Sequence, residues 1–289
     1  MISIIICSRK NYISSKLLQN INDTIGTLYE LITIDNSSNK YSIFSAYNLG
    51  VKQAKYPFLC FMHDDILFNT ESWGRKVINH FNNSKIGIIG VAGSFYLSEM
   101  PGAWWSSIFS SMNVKQTING EIVCNKWKYI DDGESSHSAV MLDGLWLCIP
   151  QKVMNLISFD EKTYSGFHCY DSDICLQIKR LNYEVRIVDD IEIEHFSVGK
   201  RNKLWLIDIF IFYNKWKEEL PKSVINVSES LISQNNFFNA RQILEEIRIN
   251  KLGIIYFFKI WKYYLHCNPL INKRNWIYVL VLIKKTIFP

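Results

Sequence analysis

The stretch FLCFMHDDILF, residues 58–68, decides the fold prediction for this chain. Its first half is an unbroken apolar run, which is typical of a strand buried on both faces in the middle of a parallel sheet. The run ends abruptly in His63, Asp64 and Asp65. Ligands of open α/β sheets bind at the carboxyl ends of the strands, so these three residues are candidates for a binding site.

Two adjacent aspartates at one strand end repel each other, and a divalent cation would relieve that repulsion. Oxygen ligands close to phosphate are typical of Mg²⁺ and Mn²⁺ sites. A second interpretation stays open, because aspartate is also common at the N-cap of a helix. On that interpretation Asp64 and Asp65 only cap the helix that follows.

Strands and helices are predicted to alternate on both sides of this stretch. The predicted strands cover residues 3–7, 31–34, 58–62 and 86–91, and the predicted helices cover residues 13–22, 43–54 and 73–82. This alternation indicates an α/β fold with a doubly wound, mostly parallel sheet flanked by helices. Strand character returns at residues 139–149, 185–188 and 191–194, and a further helix starts near Asp171.

Two regions depart from the alternation. Residues 93–137 contain Trp104, Trp105 and an Asn119-Gly120 pair that predicts a hairpin turn. An irregular segment of this length usually has a function, although a poorly ordered surface insertion is the alternative. From residue 204 the pattern becomes helical, over residues 204–220 and 228–249. We therefore predict one domain over residues 1–203 and an α-helical C-terminal extension over residues 204–289.

The composition excludes several classes of protein. A net charge of +5 is too small to argue for nucleic-acid binding by itself. The seven cysteines form no C-x-x-C pair and are predicted to be reduced and largely buried, as in a cytosolic protein. Neither a signal peptide nor an uncharged apolar run of membrane-spanning length is recognisable.

The C-terminal residues alternate apolar and aromatic runs with lysine, as in IIYFFKIWKYYL and NKRNWIYVLVLIKK. Basic helices rich in tryptophan and tyrosine lie at anionic membrane interfaces. The alternative is that these helices pack on the main domain or on a partner chain, and the oligomeric state is left open. We expect a cytoplasmic protein whose C-terminal helices contact the inner face of the membrane.

The ordered set of motifs in residues 1–200 resembles family-2 glycosyltransferases of the GT-A fold, and especially a bacterial subgroup associated with capsule and other surface polysaccharides. The matching motifs are SIIICSRK, LITIDNSSN, SAYNLGVKQAKYPFLCFMHDDILF, LDGLWLCIPQKV, FDEKTYSGFHCYDSDICLQIKRLNYEVRIVD and IEHFSVGK. The resemblance implies inverting transfer of a sugar from a nucleotide-sugar, with a UDP-sugar favoured, to a glycan or lipid-linked acceptor.

The resemblance also implies a metal site. Asp65 matches the main metal ligand, the last Asp of the family's D-x-D motif, and His195 matches a histidine that ligates the metal or contacts phosphate. Asp64 would lie beside the ribose or the metal. His63 stands where the family has its first Asp, and an imidazole can hydrogen-bond a ribose hydroxyl or ligate a borderline metal. This departure leaves the choice between Mn²⁺ and Mg²⁺ open.

The general base of the family falls on Asp171, which is predicted to begin a helix after FHCY. A helix N-terminus favours the charged carboxylate that a base needs. Tyr170 replaces an acid found before the base in most of the family, and Asp173 is expected to cap or orient. The alternative is that Asp171 is only the helix N-cap. By analogy, Asp143 lies on a strand facing the donor sugar.

The nucleotide is expected at the ends of the first two strands. Asp35 matches the residue that accepts an N–H from the base, and Ser8 and Arg9 would also contact the nucleotide. An Asx turn is the alternative for Asp35, and an ordinary exposed arginine is the alternative for Arg9. Three aromatic residues offer stacking surfaces for sugar rings or core packing: Trp104, Trp105 and His168.

Two other functions are compatible with parts of the sequence. A sugar-phosphate nucleotidyltransferase needs a glycine-rich turn after the first strand, and the residues there are Cys-Ser-Arg-Lys, without glycine. A degenerate GT-A domain would bind nucleotide or glycan as a partner in an assembly without transferring sugar. His63 and the C-terminal residues favour this second alternative, whereas Asp65, Asp171 and His195 argue against it.

Overall fold

The computed structural model describes residues 1–199, 201–266, 280, 281 and 284. The chain divides into two compact units. Unit 1 comprises Met1–Phe95 and Phe109–Val198, and unit 2 comprises Tyr96–Ile108 and Gly199–Pro289. Unit 2 thus includes a segment of the irregular stretch 93–137. The predicted domain boundary between residues 203 and 204 stays a prediction.

The strands and helices have the following bounds. The strands are β1 (Ile2–Ser8), β2 (Tyr29–Asp35), β3 (Phe58–Met62), β4 (Ile66–Phe68), β5 (Ile86–Gly90), β6 (Ala92–Ser94), β7 (Tyr96–Leu97), β8 (Ser110–Met112), β9 (Val114–Ile118), β10 (Glu121–Cys124), β11 (Ser136–Ala139), β12 (Met141–Leu142), β13 (Trp146–Pro150), β14 (Glu184–Val188), β15 (Ile193–His195) and β16 (Lys222–Ser223). The α-helices are α1 (Ser15–Thr24), α2 (Ile43–Gln53), α3 (Trp73–His80), α4 (Gln151–Met154), α5 (Tyr170–Arg180), α6 (Lys203–Trp216), α7 (Glu229–Ile249) and α8 (Ile254–His266).

The largest sheet of unit 1 has the strand order β11-β14-β5-β13-β3-β1-β2. β1 pairs in parallel with β2 and β3, and β5 pairs in parallel with β14. β13 and β11 run antiparallel to their neighbours, so five of the seven strands share one direction. The predicted α/β fold with a mostly parallel sheet flanked by helices is confirmed. The antiparallel insertion of β13 between β3 and β5 was not predicted.

The apolar run of β3 lies at the centre of this sheet. Leu59, Cys60, Phe61 and Met62 are fully buried. The Phe61 ring packs 5.0 Å from the ring of Tyr47, which α2 contributes. Removal of a buried phenylalanine side chain costs about 3–5 kcal/mol of stability, so this strand is a main source of the stability of unit 1.

A second sheet of unit 1 has the order β10-β9-β15-β4. Its β9–β10 hairpin turns at Asn119 and Gly120, which have φ angles of 52° and 84°. Two positive φ angles define the type I′ turn that Asn-Gly favours. The predicted hairpin is therefore confirmed, and it makes part of the irregular stretch 93–137 an ordered sheet.

Residues 139–149 form three short strands and not one. β11 ends at Ala139, β12 covers Met141–Leu142, and β13 begins at Trp146. Asp143 lies in the turn between β12 and β13, where its Oδ1 accepts a hydrogen bond of 2.9 Å from the Leu145 N–H. The prediction that Asp143 lies on a strand is wrong, because its carboxylate stabilises a local turn that interrupts the strand.

The alternative of an aspartate pair capping the next helix is also wrong. α3 begins at Trp73 and has Ser72 at its N-cap, and the short strand β4 lies between Asp65 and that helix. β4 was not predicted, because three apolar residues after two aspartates carry too little periodicity to define a strand. Asp64 and Asp65 are therefore free of a capping role.

Unit 2 is mostly helical. α6 ends at Trp216 and continues as a 3-10 turn to Glu219, and α7 is a single helix whose N-cap is Ser228. β7 and β16 pair as a short antiparallel ladder. Within the described residues, none of the helices combines the length and the apolar character needed to cross a membrane.

The cysteines of the described chain are free, and Cys60, Cys148 and Cys175 are buried. The burial of these three thiols agrees with the prediction that cysteines of this chain act as small apolar residues. Cys267 and most of the segment NKRNWIYVLVLIKK lie outside the described residues.

Candidate functional site

His63, Asp65 and His195 form a cluster at the carboxyl end of β3, which we call the His–Asp–His cluster. One potential ligand atom from each side chain lies within 4.8 Å of the others. His195 Nε2 is 3.4 Å from Asp65 Oδ1, and His63 Nδ1 is 3.8 Å from the same oxygen. Separations of this size are those of ligands that surround one ion.

Strand pairing brings these distant residues together. β15 pairs antiparallel with β4, and this register places His195 opposite Ile66. One step further, the Phe196 N–H donates a hydrogen bond of 3.0 Å to the backbone oxygen of Asp65. On the other side, the His63 N–H donates to the Leu145 oxygen at 3.0 Å. The backbone thus holds all three residues at one edge of the fold.

The donor set fits a divalent cation. Two imidazole nitrogens and one carboxylate oxygen suit a borderline transition metal better than Mg²⁺, which prefers oxygen ligands. The predicted ligands Asp65 and His195 are brought together, and His63 joins them. Asp64 does not belong to the cluster among the residues that the structure describes.

The charges of the cluster favour ligation. Burial raises the pKa of Asp65, but hydrogen bonds and charge from His195, together with Ser197 and His63, outweigh burial and lower the pKa below its usual range. Burial lowers the pKa of His63, and the charge of His195 reinforces this effect against the opposing charge of Asp65. Near pH 7, Asp65 is therefore ionised and His63 is neutral, which are the protonation states that bind metal ions.

Asp171 lies in the first turn of α5 and is not its N-cap. The N-cap position belongs to Cys169, in the left-handed region with φ 65° and without a side-chain capping bond. Asp171 Oδ2 accepts a hydrogen bond of 3.0 Å from the Gly144 N–H, and Oδ1 accepts one of 2.7 Å from the Ser172 N–H. The N-cap alternative for Asp171 is wrong.

The surroundings of Asp171 raise its pKa to about 7. Burial is the main cause and the negative charge of Asp143 is the second, and both outweigh the hydrogen bonds from Ser172 and Gly144 that lower the pKa. The helix N-terminus was expected to favour the charged form, but burial dominates. A carboxyl with this pKa exchanges its proton near neutral pH, as a general base must.

Ser8 and Asp64 connect the ends of β1 and β3. The buried Ser8 hydroxyl donates a hydrogen bond to Asp64 Oδ2 and accepts one of 3.0 Å from the Lys10 N–H. A buried hydroxyl in these contacts orients Asp64. The structure thus links two residues that were predicted separately as nucleotide contacts.

Asp35 lies at the end of β2, where the strand register places it beside Ser8. Its Oδ1 accepts a hydrogen bond of 2.9 Å from the Ser37 N–H, which is the Asx turn considered as its alternative. This bond lowers the pKa of the exposed carboxyl. Arg9 is exposed, and its guanidinium lies 5.5 Å from the centre of the Phe167 ring.

The sequence matches the family described as "Glycosyltransferase like family" over residues 3–226. This chain belongs to that glycosyltransferase-like family. The match covers the His–Asp–His cluster, Asp171 and Asp35. No curated protein sequence matches the chain.

Several solved structures are similar to this glycosyltransferase-like chain. GalNAc-T7 with UDP, GalNAc and Mn²⁺ superposes with a TM-score of 0.51 at 10% identity, over 85% of this chain and 56% of the other. This chain therefore matches little more than half of the GalNAc-T7 chain. S. aureus TarS 1-349 in complex with UDP superposes with a TM-score of 0.46 at 12% identity, over 85% of this chain and 71% of TarS. A197 from STIV superposes with a TM-score of 0.41 at 14% identity, over 68% of this chain and 86% of A197.

The three candidate stacking residues of this glycosyltransferase-like chain are divided between the two units. His168 lies in unit 1, where burial and the charge of Arg9 lower its pKa to about 4, so it is neutral at pH 7. Trp104 and Trp105 belong to unit 2. Trp104 is buried, whereas Trp105 is 39% exposed and stacks on Trp205 at 6.0 Å.

Sequence reasoning missed two polar side chains of the site. The Ser197 hydroxyl lies 3.3 Å from His195 Nε2 and helps to lower the pKa of Asp65. The Tyr170 hydroxyl lies 3.1 Å from His63 Nε2. Tyr170 was noticed only as a replacement for an acid, and nothing in the sequence alone indicates that its hydroxyl contacts His63. The sequence indicates Ser197 only weakly, because its hydroxyl follows the strand-end residue His195 by two positions.

Proposed function

We propose that this chain is an inverting, cation-dependent glycosyltransferase. It moves a sugar from a nucleotide-sugar, with a UDP-sugar favoured, to a hydroxyl of a glycan or lipid-linked acceptor, in the synthesis of a bacterial capsule or another surface polysaccharide. The observation that carries the proposal is the His–Asp–His cluster at the carboxyl end of β3, in a chain that belongs to a glycosyltransferase-like family.

The nucleotide of the donor binds along the ends of β1, β2 and β3. Asp35 accepts an N–H from the base, and its exposed carboxylate is accessible for this contact. Arg9 directly follows Ser8 in the sequence and is exposed, and it adds positive charge for the diphosphate. Asp64, which Ser8 holds, hydrogen-bonds the ribose.

Asp65, His195 and His63 would hold a divalent cation beside the donor diphosphate. When bound, the cation supplies a Lewis acid that stabilises the charge of the departing nucleoside diphosphate. The two imidazoles favour Mn²⁺ over Mg²⁺. GalNAc-T7, which shares the fold, was crystallised with UDP and Mn²⁺, and the proposed donor and cation are of the same classes.

Asp171 acts as the general base. The acceptor oxygen attacks the anomeric carbon as the bond from that carbon to the diphosphate oxygen breaks, and the hydroxyl proton passes to an oxygen of Asp171. Direct displacement inverts the configuration at the anomeric carbon. Burial, and second the charge of Asp143, raise the pKa of Asp171 to about 7, which suits uptake of this proton at neutral pH.

Release of nucleoside diphosphate from UDP-, GDP- and dTDP-sugars tests this function. We expect release from a UDP-sugar that requires Mn²⁺ and falls sharply in Asp65→Asn. Asp190→Asn is the matched control, because Asp190 forms a His–Asp pair with His80 at 2.9 Å outside the cluster. Wild-type rates in Asp65→Asn would contradict the cation site.

The degenerate GT-A domain makes a different prediction in the same experiment. Such a protein would bind UDP with Mn²⁺ in a calorimetric titration but would neither hydrolyse nor transfer from any donor. The ligand cluster and the pKa of Asp171 near neutrality support an active enzyme, because a protein that only binds has no need of a tuned base.

We also propose that the protein is cytoplasmic and contacts the inner face of the membrane through its C-terminal helices. Residues 251–289 contain seven of the 32 Lys and Arg residues and none of the 27 Asp and Glu residues. The preceding residues therefore hold 25 basic and 27 acidic residues, so the positive charge of the chain is concentrated in its last 39 residues. Anionic lipid attracts such a segment.

α8 is apolar on two opposite faces. Phe257, Ile260 and Tyr264 are buried. On the opposite face, Ile255 is 69% exposed and Phe258 is 57% exposed, with Lys262 in the same row. A helix with apolar side chains on both faces is usually covered on both faces. The exposed row of α8 mixes apolar and lysine side chains, which suits the membrane interface. In a symmetric contact between two copies, this row would bring lysine close to lysine, and the repulsion of like charges argues against such a contact.

A further inference from the structure

The Tyr170 hydroxyl connects two elements of the site. This side chain is buried, and its hydroxyl donates a hydrogen bond of 2.8 Å to the backbone oxygen of Gly144. The same oxygen lies 3.1 Å from His63 Nε2. The buried Tyr47 ring packs edge-on against the Tyr170 ring, with 5.5 Å between the ring centres.

The single proton of this hydroxyl determines the direction of the hydrogen bonds. A carbonyl oxygen can only accept, so the proton of Tyr170 goes to Gly144. The two lone pairs of the phenol oxygen then accept from its other neighbours, and the neighbour at 3.1 Å is His63 Nε2. His63 Nε2 therefore carries a proton. If the Tyr170 proton turned toward His63 instead, two oxygens would face each other at 2.8 Å without a proton between them.

The other nitrogen of His63 faces the cluster. Nδ1 is the atom that lies 3.8 Å from Asp65 Oδ1. In a neutral imidazole with a proton on Nε2, Nδ1 carries the lone pair that a metal ion needs. The hydrogen bond to Tyr170 also limits rotation of the ring, because a rotated ring would lose a buried hydrogen bond.

We propose that Tyr170 is a positioning residue that holds His63 with a proton on Nε2 and the Nδ1 lone pair directed to a divalent cation shared with Asp65 and His195. This role rests on the cation site of the proposed function. Partners that orient a ligating histidine typically change metal affinity by about 10–100-fold when they are removed.

Mn²⁺ affinity of the full chain, measured by electron paramagnetic resonance of free Mn²⁺, tests this role. Tyr170→Phe is expected to weaken binding by about 10–100-fold. Tyr164→Phe is the matched control: Tyr164 is fully buried and its hydroxyl bonds Asp173 at 3.3 Å, away from His63. It should bind Mn²⁺ within about twofold of the wild type, since no ligand is affected. Thermal melting shows whether both variants stay folded.

A double-mutant cycle separates positioning from a general structural effect. In a His63→Ala background there is no imidazole to orient, so Tyr170→Phe should cause no further loss of Mn²⁺ affinity. An equal loss in both backgrounds would overturn the proposal. Nuclear magnetic resonance of the metal-free protein gives an independent readout: we expect a slowly exchanging proton on His63 Nε2 that Tyr170→Phe removes, and a proton on Nδ1 would overturn the assignment.

The outcomes for Tyr170 and for the cation site are distinguishable. If Asp65→Asn loses Mn²⁺ while Tyr170→Phe binds as the wild type does, the positioning role is wrong and the cation site stands. If the wild type binds no Mn²⁺, with or without UDP, the cation site fails and the role of Tyr170 fails with it.

Discussion

Unit 1 and unit 2 differ in two kinds of side chain that cost stability: polar groups that are buried and apolar groups that are exposed to water. Unit 1 places polar groups in partly or fully buried positions and gives them partners, as Ser8 does for Asp64 and Tyr170 does for His63. Unit 1 also exposes apolar side chains, such as Leu28 and Leu156, but α8 of unit 2 exposes Ile255 and Phe258 three positions apart on one helix face.

The difference indicates two kinds of function. Burial of a polar group costs stability unless hydrogen bonds compensate, so a cluster of such groups at a strand end indicates chemistry. Exposure of an apolar helix face costs little in folding but favours adhesion to another surface. Unit 1 is thus the candidate for catalysis and α8 of unit 2 the candidate for docking.

The largest expected effect concerns Asp171. Asp171→Asn should lower the rate of transfer by about 100-fold or more and leave nucleotide binding intact, because only the proton acceptor is lost. The measurement is single-turnover transfer together with calorimetric titration of UDP and Mn²⁺.

Asp173→Asn is the control for that prediction. Asp173 lies two residues later in α5, is buried, and accepts hydrogen bonds from Tyr164 and Gln177. It should lower the melting temperature and leave the turnover of the folded protein close to that of the wild type. Turnover of Asp171→Asn near the wild-type value would remove the chemical role assigned to unit 1.

The pH dependence should follow the carboxyl of Asp171. Its pKa is raised to about 7, so the group is protonated and inactive as a base below that pH. We expect kcat/KM to rise by about tenfold per pH unit below pH 7 and to level above it.

Asp143→Asn sharpens this test. The negative charge of Asp143 is the second cause of the raised pKa, so its removal should move the rising limb to lower pH. The measurement is the pH profile of kcat/KM for both proteins at saturating Mn²⁺. If the rising limb of the pH profile lies at the same pH in Asp143→Asn as in the wild type, the titrating group is not Asp171.

Much of unit 1 could be predicted from the sequence, because its strands and helices have clear periodicity. The apolar run of β3, the hairpin at Asn119-Gly120 and the helix near Asp171 are visible locally. The antiparallel insertion of β13 and the turn at Asp143 were missed. The insertion of β13 depends on pairing between segments distant in sequence, which no local pattern records. The turn at Asp143 is local, but it lies inside an apolar run that has the pattern of a single strand.

The membrane prediction tests the other half of the comparison. Phe258→Glu should reduce flotation of the full chain with anionic phosphatidylglycerol vesicles by about tenfold, because it places a carboxylate where α8 meets anionic lipid. Wild-type protein should bind less in high salt and less to neutral phosphatidylcholine vesicles.

Phe238→Glu is the matched control for Phe258→Glu. Phe238 lies on α7 of the same unit, is 46% exposed, and contacts the preceding Phe237 ring at 5.9 Å much as Phe258 contacts Phe257 at 6.0 Å. It should bind vesicles as the wild type does. Equal binding by both variants, or a dimer that dissociates only in Phe258→Glu, would show that lipid does not cover this face.

The smallest expected effect concerns the backbone, where the two units should behave alike. Gly120 of unit 1 has φ 84° and Gly253 of unit 2 has φ 103°, and an added Cβ would meet open space at both. Each Gly→Ala variant should lose about 1 kcal/mol of unfolding free energy from the strained conformation alone. Gly199 is the control, since it also lies in open space but lacks a positive φ. Chemical denaturation measures these changes, and a loss confined to one unit would contradict the expectation.

The sequence by itself determined the α/β class and the order of most elements, and through the family resemblance it named Asp65, Asp171 and His195 as candidate site residues. These features depend on residue type and local periodicity. Tertiary structure alone decided that the β4–β15 register brings His195 to Asp65, and that Tyr170 contacts His63. His63 and Tyr170 are the two residues that depart from the family pattern, and they contact each other. The physical reason is that strand order and register are set by burial and pairing across the whole sheet, which join residues more than a hundred positions apart.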